Sequence, residues 1–144
     1  NCIGLLMWGD VGTGKTFIAA CIANALIENG VPVLMTNFSK ILNQLSAMFN
    51  EDRNKFIESF NRYSLLIIDD LGTEVMNQFT SSCLYNVINT RLSMRRPTVI
   101  STNVMQDELR RRYWDRITSR LFGEYKILLF IGTDVRAQKV KAGK

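Results

Sequence analysis

The sequence predicts an α/β fold in which a five-stranded parallel sheet is covered by helices on both faces. Short apolar runs rich in branched residues alternate with longer segments whose apolar residues recur at helical spacing. The predicted strands are apolar on both faces, as expected for strands buried between two helical layers. The length of 144 residues fits one domain with one core, so a separate substrate domain is not expected.

The five predicted strands are short apolar runs bounded by polar or turn residues. Four helices are predicted from the spacing of apolar residues over 15–29, 39–49, 54–60 and 74–94. The strands alternate with these helices and cover residues 3–8, 31–35, 65–68, 98–101 and 125–131. The first helix is apolar on almost every side, so we expect it to be deeply packed and to end at Asn29-Gly30. The polar stretch 50–53 is expected to join the second and third helices.

The composition excludes several classes of chemistry. Histidine is absent, which rules out Ser-His and Cys-His nucleophiles and the commonest general base. Cys2, Cys21 and Cys83 lie far apart in apolar segments and predict buried thiols in a reducing cytoplasm, not a zinc site or disulfides. A net charge of +5 is compatible with a polyanionic partner. No apolar run approaches the roughly 18 to 20 residues of a membrane span, so we expect a cytoplasmic protein without membrane association.

Residues 9–16, GDVGTGKT, fit the pattern of a phosphate-binding loop and lie between a predicted strand and a predicted helix. The glycines let successive backbone N–H groups point at phosphate oxygens, and the helix N-terminus adds partial positive charge. Lys15 is expected to reach the β and γ phosphates, and Thr16 to offer its hydroxyl to Mg²⁺. An ordinary glycine-rich turn is the alternative, but both the motif and its position between a strand and a helix predict binding of ATP with Mg²⁺. The predicted contacts are Gly9, Asp10, Val11, Gly12, Thr13, Gly14, Lys15 and Thr16.

Two adjacent carboxylates, Asp69 and Asp70, follow the apolar strand 65–68, and this arrangement resembles a Walker B strand. A carboxylate at this edge can hold Mg²⁺ through its water shell, and a second one can polarise an attacking water. We therefore expect Thr16 and Asp69 at the metal and Asp70 in catalysis. A solvated acidic turn before Gly72 is the alternative, and the phosphate loop makes it less favoured.

Together these motifs resemble the AAA+ ATPases, and within them the helicase loaders of the DnaC and DnaI type and the IstB-like transposition helpers. Residues 97–103, PTVISTN, resemble the strand that lies between the two motifs in that sheet, which makes Asn103 the sensor by resemblance. Residues 116–123, RITSRLFG, are similar to the segment whose second arginine, here Arg120, acts as a finger in the neighbouring subunit's site. Residues 132–136, GTDVR, resemble the loaders' terminal motif, so Arg136 is implied as a nucleotide contact.

The resemblance implies an ATPase that assembles with copies of itself on single-stranded DNA and delivers a hexameric replicative helicase when replication starts. It implies hydrolysis by a water that Asp70 orients, with Arg120 supplied by a neighbour. The expected organisation is an AAA+ ATP-binding domain over 1–135, without the C-terminal lid domain, and a basic tail over 136–144. Because the chain begins Asn-Cys, we expect a fragment whose N-terminal, partner-binding region is missing.

Several alternatives remain. Most AAA+ proteins have glutamate at the position of Asp70, and the shorter arm favours a slow, switch-like ATPase or a nucleotide-gated binding module with negligible catalysis. An IstB-like transposition helper shares every motif above. A small-molecule kinase is not favoured, because no substrate-binding lid segment is apparent.

Two regions are candidates for contact with nucleic acid. Most arginines lie between Arg91 and Arg120, but a helix over 106–112 would place Asp107 near Arg111 and Glu108 near Arg112, as ordinary surface ion pairs. The other region follows the second strand, where the loaders resemble DnaA-type initiators in placing an extra helix that contacts single-stranded DNA. It combines basic side chains with phenylalanines that could equally form core, namely Lys40, Arg53 and Lys55 with Phe38, Phe49, Phe56 and Phe60.

Overall fold

The computed structural model describes residues 4–75 and 77–132. Within this part of the chain, neighbouring strands pair in parallel in the order β2-β3-β4-β1-β5. This order places β4 between β1 and β3, as the resemblance implied, and confirms the predicted parallel sheet. The strands β1 to β5 are Gly4–Gly9, Val33–Asn37, Leu65–Leu71, Thr98–Thr102 and Lys126–Phe130.

Helices cover both faces of the sheet, as predicted, but unequally. Of the described helices, α1 packs on one face, where Ala19 and Ala23 contact the sheet, and the others lie on the opposite face. None of the described helices is long and apolar enough to cross a membrane. The helices α1 to α6 are Lys15–Glu28, Phe38–Ser46, Asn50–Ser59, Gln78–Ser93, Gln106–Arg112 and Asp115–Glu124, and the 3-10 turn Phe60–Arg62 follows α3.

The strand β3, which pairs with β2 and β4, shows why its first four residues are all apolar. Leu65 and Ile67 belong to the core cluster beneath α1, whereas Leu66 and Ile68 belong to the larger cluster beneath α2 to α6. Successive side chains of a strand point to opposite faces, so a strand between two helical layers needs apolar residues at every position.

The prediction that residues 50–53 join two helices was wrong. These residues form the first turn of α3, which begins at Asn50 after an extended Phe49. Glu51 and Asp52 lie in that first turn, where the partial positive charge of the helix end stabilises carboxylates. The same acidic residues that look like a polar linker in the sequence are favourable at the start of a helix.

The prediction that α1 is deeply packed was also wrong. Its buried residues are Lys15, Ala19 and Ala23, whereas Phe17 is 70% exposed and Cys21 is exposed as well. Only one side of a helix can contact a sheet, and the helices that could cover the other side lie across the sheet. The buried thiol is confirmed for Cys83 but not for Cys21, and Cys2 lies outside the described residues.

The predicted end of α1 is confirmed. Asn29 caps the helix with its backbone N–H on the carbonyl of Leu26, and Gly30 follows with φ of 78°. That left-handed conformation favours glycine, which is why the Asn-Gly pair ends the helix here.

Candidate nucleotide-binding site

The phosphate loop connects β1 to α1 at the carboxyl edge of the sheet, and its glycines are required by the backbone. A Cβ atom at Gly9 would lie 2.2 Å from the carbonyl oxygen of Phe130 on the neighbouring strand. Gly12 and Gly14 have φ of 76° and 96°, in the left-handed region that other residues rarely adopt. The loop therefore has the tight, glycine-dependent curvature that the motif predicts.

The N-terminus of α1 is arranged to receive an anion. The helix begins at Lys15, and its N-cap residue, Gly14, has no side chain that could accept a hydrogen bond from the first turn. That turn also contains no acidic residue. The first N–H groups of a helix have no acceptor within the helix, so without a capping side chain they need a partner from outside. Phosphate oxygens fit this position because they accept several N–H groups and carry negative charge.

Lys15 is buried at 5% exposure and places its ammonium inside the loop. Its Nζ donates to the carbonyl oxygens of Gly9 and Asp10, both at 2.7 Å. Burial lowers the pKa of Lys15, while the carboxylates of Asp70, Asp10 and Asp69 act in the opposite direction. The carbonyls are neutral and do not offset the charge of this buried ammonium, so pairing with an incoming phosphate is strongly favourable.

Thr16 and Asp69, the two predicted metal residues, are brought together. The Thr16 hydroxyl donates to both carboxylate oxygens of Asp69, at 3.1 and 3.0 Å. Thr16 comes from the first turn of α1 and Asp69 from the last part of β3, so the parallel sheet assembles the pair from distant segments. Hydroxyl and carboxylate oxygens are the donors that Mg²⁺ prefers, and this donor set fits that ion.

Ser101 is a site residue that sequence reasoning missed. Its fully buried hydroxyl donates to a carboxylate oxygen of Asp69 and accepts the backbone N–H of Asp70 at 2.9 Å. One side chain of β4 thus fixes both acidic residues of β3. The available signal was a polar residue near the end of an apolar strand expected beside β3, which becomes informative only once the strand order is known.

Asp70 lies in an irregular part of β3. Ile68 pairs with Ile100 and Leu71 with Thr102, so Asp69 and Asp70 together lie opposite Ser101 alone. Asp70 has φ of 54°, a left-handed value that aspartate tolerates better than most residues. The strand extends beyond the apolar run 65–68, through the bulge to Leu71, so the two carboxylates lie at its carboxyl end as predicted. Such bulges redirect side chains beside active sites.

Asn103 directly follows β4 and is half-buried. The preceding Thr102 donates its hydroxyl to the carbonyl of Leu71 at 2.7 Å and accepts the N–H of Val104 at 3.1 Å. These bonds tie the end of β4 to the end of β3. Asn103 therefore lies just beyond the end of β4, the strand between β1 and β3, and its role as the sensor stays a prediction.

Arg120 lies on α6. Its guanidinium donates to the carbonyl of Arg116 at 2.8 Å and lies 5.0 Å from the centre of the Tyr85 ring. Neither contact belongs to the phosphate loop or to the Asp69-Asp70 pair. Arg136, the remaining predicted contact, is outside the described part of the chain.

Comparison with known proteins decides the family. The model of the IstB-like ATP binding proteins matches residues 2–121. The chain belongs to this family. The replicative helicase loader DnaC of Escherichia coli (strain K12) is 25% identical over 124 residues, which are 84% of this chain and 51% of DnaC. A Sinorhizobium fredii protein described as an insertion sequence ATP-binding protein is 34% identical over 114 residues, 78% of this chain and 36% of that protein. The chain therefore spans about half or less of these relatives.

Solved structures confirm the fold of this IstB-like domain. A crystal structure of the DnaC helicase loader has a TM-score of 0.78 at 22% identity, covering 89% of this chain and 78% of that one. The replication initiator DnaA bound to AMPPCP and single-stranded DNA has a TM-score of 0.81 at 18% identity, covering 99% and 46%. The predicted phosphate-loop NTPase fold of the AAA+ type is thus confirmed.

Arg91, which opens the basic cluster of the IstB-like domain, does not belong to its surface. The side chain is 1% exposed and donates to the carbonyls of Phe60, Tyr63 and Pro97 at 2.8, 2.7 and 2.5 Å. Burial lowers its pKa to about 10. Including Arg91 in a nucleic-acid surface was wrong, because this arginine is buried and hydrogen-bonds to backbone carbonyls inside the domain.

The predicted helix over 106–112 is confirmed, and its ion pairs are confirmed in part. Glu108 pairs with Arg112 at 3.1 Å as expected, but Arg111 pairs with Glu108 at 2.8 Å and not with Asp107. Residues three apart on a helix are as close as residues four apart, so one glutamate serves both arginines. The hydrogen bonds that Arg111 and Arg112 donate to Glu108 lower the pKa of its carboxyl.

The phenylalanines after the second strand divide into core and surface. Phe38 and Phe60 are 0% and 4% exposed and belong to the core, so they are not stacking platforms. Phe49 is 84% exposed at the junction of α2 and α3. Lys40 and Lys55 are exposed on the same two helices. One exposed aromatic ring and two exposed lysines therefore remain in this region, together with the exposed carboxylates of Glu51, Asp52 and Glu58.

Proposed function

We propose that this domain binds ATP with Mg²⁺ and hydrolyses it slowly, as the nucleotide-driven part of a replicative helicase loader in the cytoplasm. The observation that carries the proposal is the meeting of the Thr16 hydroxyl with the Asp69 carboxylate at 3.0 Å, beside the buried ammonium of Lys15. In a member of an ATP-binding family, this is the combination that a metal-bound triphosphate requires.

Each residue has a separate task in the proposed reaction. Lys15 and the N–H groups of the loop bind phosphate oxygens, and Thr16 with Asp69 holds Mg²⁺, which offsets phosphate charge when bound. Asp70 accepts a hydrogen bond from the attacking water and turns it towards the γ phosphate. Asn103 lies where it can help to hold that water or the γ phosphate.

Slow hydrolysis follows from the short side chain of Asp70. A general base acts within about 3 Å of the proton that it accepts, and the bulge fixes the backbone from which Asp70 reaches. The side chain of Asp70 is one methylene shorter than that of glutamate, so its contact with the attacking water depends on further ordering of the site. Assembly with a neighbour is the source of that ordering in our proposal.

Self-assembly is supported by two features of the surface. Phe17 and Ile18, beside the phosphate loop, are 70% and 39% exposed, which suits burial against another molecule. Within residues 4–75 and 77–132, the contacts of the Arg120 guanidinium are with Tyr85 of α4 and Arg116 of its own helix, which suits an arginine that acts in a neighbouring site. We propose that Arg120 enters the site of the next subunit and stabilises the charge of the transition state.

The proposed partners are single-stranded DNA and a hexameric replicative helicase. The likeness to the loader DnaC and to a DnaA structure with single-stranded DNA supports both. In the chain itself, exposed Phe49 supplies a ring for base stacking, and exposed Lys40 and Lys55 supply charge for the backbone.

A helicase-loading assay tests the proposal. The full-length protein that contains this domain is mixed with the replicative helicase of its own organism, ATP and DNA coated with single-strand binding protein, and unwinding is measured. We expect unwinding to require the chain and to be lost with Lys15→Ala. Absence of unwinding, despite binding of ATP, would contradict the loader role.

A transposition helper is the second candidate, favoured by the 34% identity to the insertion sequence protein. It would share the nucleotide site and differ in its partner. Strand transfer by a transposase encoded beside the chain, stimulated by the chain and ATP, would establish this alternative, particularly if helicase loading is absent.

A further inference from the structure

Two arginines of α6 lie against one aromatic ring of α4. The guanidinium carbons of Arg116 and Arg120 are 5.2 and 5.0 Å from the centre of the Tyr85 ring. One nitrogen of Arg120 also lies 3.5 Å from the Tyr85 hydroxyl. These distances are within the range in which an aromatic face attracts a cation.

In the part of the chain that the structure describes, the two guanidiniums are held by rings and a carbonyl and not by a carboxylate. Arg116 also lies 5.2 Å from the Trp114 ring, and Arg120 donates to the Arg116 carbonyl at 2.8 Å. Among the described residues, the ion pairs involve Glu108 with Arg111 and Arg112, so no carboxylate pairs with Arg116 or Arg120. Two neighbouring cations repel each other, and the arrangement is completed by an anion from outside.

An aromatic platform differs from an acidic partner in what it leaves free. The ring attracts the face of the guanidinium through its quadrupole, so most of the N–H donors stay available at the edge. A carboxylate would occupy those donors and cancel the charge. The ring is also firmly placed, because Tyr85 is partly buried and packs against the main core cluster.

We propose that Tyr85 is a positioning residue that holds Arg120, together with Arg116, in place for the neighbouring subunit's phosphate. This inference rests on the proposed function, in which Arg120 acts in the next subunit's site. The ring carries the effect, since the hydroxyl contact of 3.5 Å is long for a hydrogen bond. Tyr85→Phe should therefore behave like the parent, and Tyr85→Ala should not.

Subunit mixing in the full chain, with single-stranded DNA and ATP, tests the proposal. Lys15→Ala lacks its own site but can donate an arginine, whereas Arg120→Ala keeps its site but cannot donate one. Their mixture should regain activity that neither has alone. Adding Tyr85→Ala to the Lys15→Ala chain should lower the regained activity at least about tenfold, because a misplaced group loses most of its effect.

A matched control comes from the neighbouring pair of helices, where Arg110 of α5 lies 4.6 Å from the centre of the Phe122 ring of α6. Adding Phe122→Ala to Lys15→Ala also removes a ring beneath an arginine, and the mixture should keep its activity. Tyr85→Ala alone, mixed with Lys15→Ala, should be active, because its own site is intact. That result separates a positioning role from general damage to the fold.

The outcomes distinguish the two claims. If Lys15→Ala and Arg120→Ala co-assemble without regaining activity, the trans arginine is wrong, and the role of Tyr85 falls with it. If they complement but the Lys15→Ala, Tyr85→Ala double variant donates as well as Lys15→Ala, only the Tyr85 proposal is overturned. Loss of donation with Tyr85→Ala, with recovery by Tyr85→Phe, is the result that the proposal requires.

Discussion

A single hydroxyl, that of Ser101, connects the two acidic residues of the candidate site. It donates to Asp69 and accepts the backbone N–H of Asp70, while Thr16 approaches Asp69 from α1. The carboxylates were predictable because an adjacent acidic pair after an apolar strand is conspicuous. Ser101 was not, because a lone serine within a strand has no meaning until its neighbour and register are known.

Substitutions of the two carboxylates should have different effects. Asp69→Ala should make ATP binding insensitive to Mg²⁺, because the metal loses its protein anchor. Asp70→Asn should keep Mg²⁺-dependent binding and lower turnover at least about a hundredfold, since asparagine tolerates the left-handed backbone but is not a base. Calorimetry and steady-state phosphate release measure the two effects. Parental hydrolysis by Asp70→Asn would mean that another residue orients the water.

Removal of the Ser101 hydroxyl should weaken the response to Mg²⁺ without abolishing it. Ser101→Ala leaves Asp69 in place but loses its support, and such supporting bonds are typically worth about tenfold or more in metal affinity. The concentration of Mg²⁺ that gives half-maximal ATP binding is the quantity to measure. Ser93→Ala, on the exposed end of α4, is the control, and equal Mg²⁺ dependence in both variants would remove Ser101 from the site.

At the scale of elements, the sequence predicted which segments are helices or strands better than it predicted which side chains are buried. Each predicted strand and helix is present, because apolar periodicity is local information. The exposure of α1 and the burial of Arg91 depend on which helices pack around them, and the local spacing of residues does not give those packing partners. The acidic first turn of α3 was misassigned because the same residues suit linkers and helix starts.

Arg91 should be among the residues most important for stability. Its guanidinium joins α4 to the 3-10 turn and to the start of β4 through three carbonyls and the Thr98 hydroxyl. Arg91→Met should lower the free energy of unfolding by about 3 kcal/mol, because buried carbonyls lose their donor. Arg111→Ala, on the surface, should change it by less than about 0.5 kcal/mol. Denaturant unfolding measures the free energy of unfolding of both variants. A small loss in Arg91→Met, similar to that in Arg111→Ala, would contradict the role given to Arg91.

The surface of α2 and α3 should contribute charge to DNA binding. The double variant Lys40→Ala, Lys55→Ala should bind single-stranded DNA more weakly and with a flatter dependence of log K on log salt, by about one unit or more. Fluorescence anisotropy at several salt concentrations measures both quantities. An unchanged slope would return these lysines to ordinary surface roles and direct the search to the arginines of α5 and α6.

At the scale of the whole molecule, the parallel sheet with helices on both faces and the nucleotide-binding edge followed from the sequence, because a phosphate loop and an acidic strand end must meet where parallel strands end. The meeting of Thr16 with Asp69 is the direct consequence. What lay beyond prediction depends on contacts between separate elements. The bulge at Asp70 and the bridge by Ser101 join β3 to β4, and the stacking of two arginines on Tyr85 joins α6 to α4.

Calorimetric titration with ATP and Mg²⁺, comparing the parent with Lys15→Ala, tests the central claim most directly. Lys15 is the buried cation of the loop, and Lys40→Ala serves as a control that removes a lysine of equal charge outside the loop. We expect Lys15→Ala to lose at least about tenfold in affinity, or about 1.4 kcal/mol, and Lys40→Ala to bind like the parent. Equal affinity in the parent and Lys15→Ala would show that the loop does not bind the triphosphate.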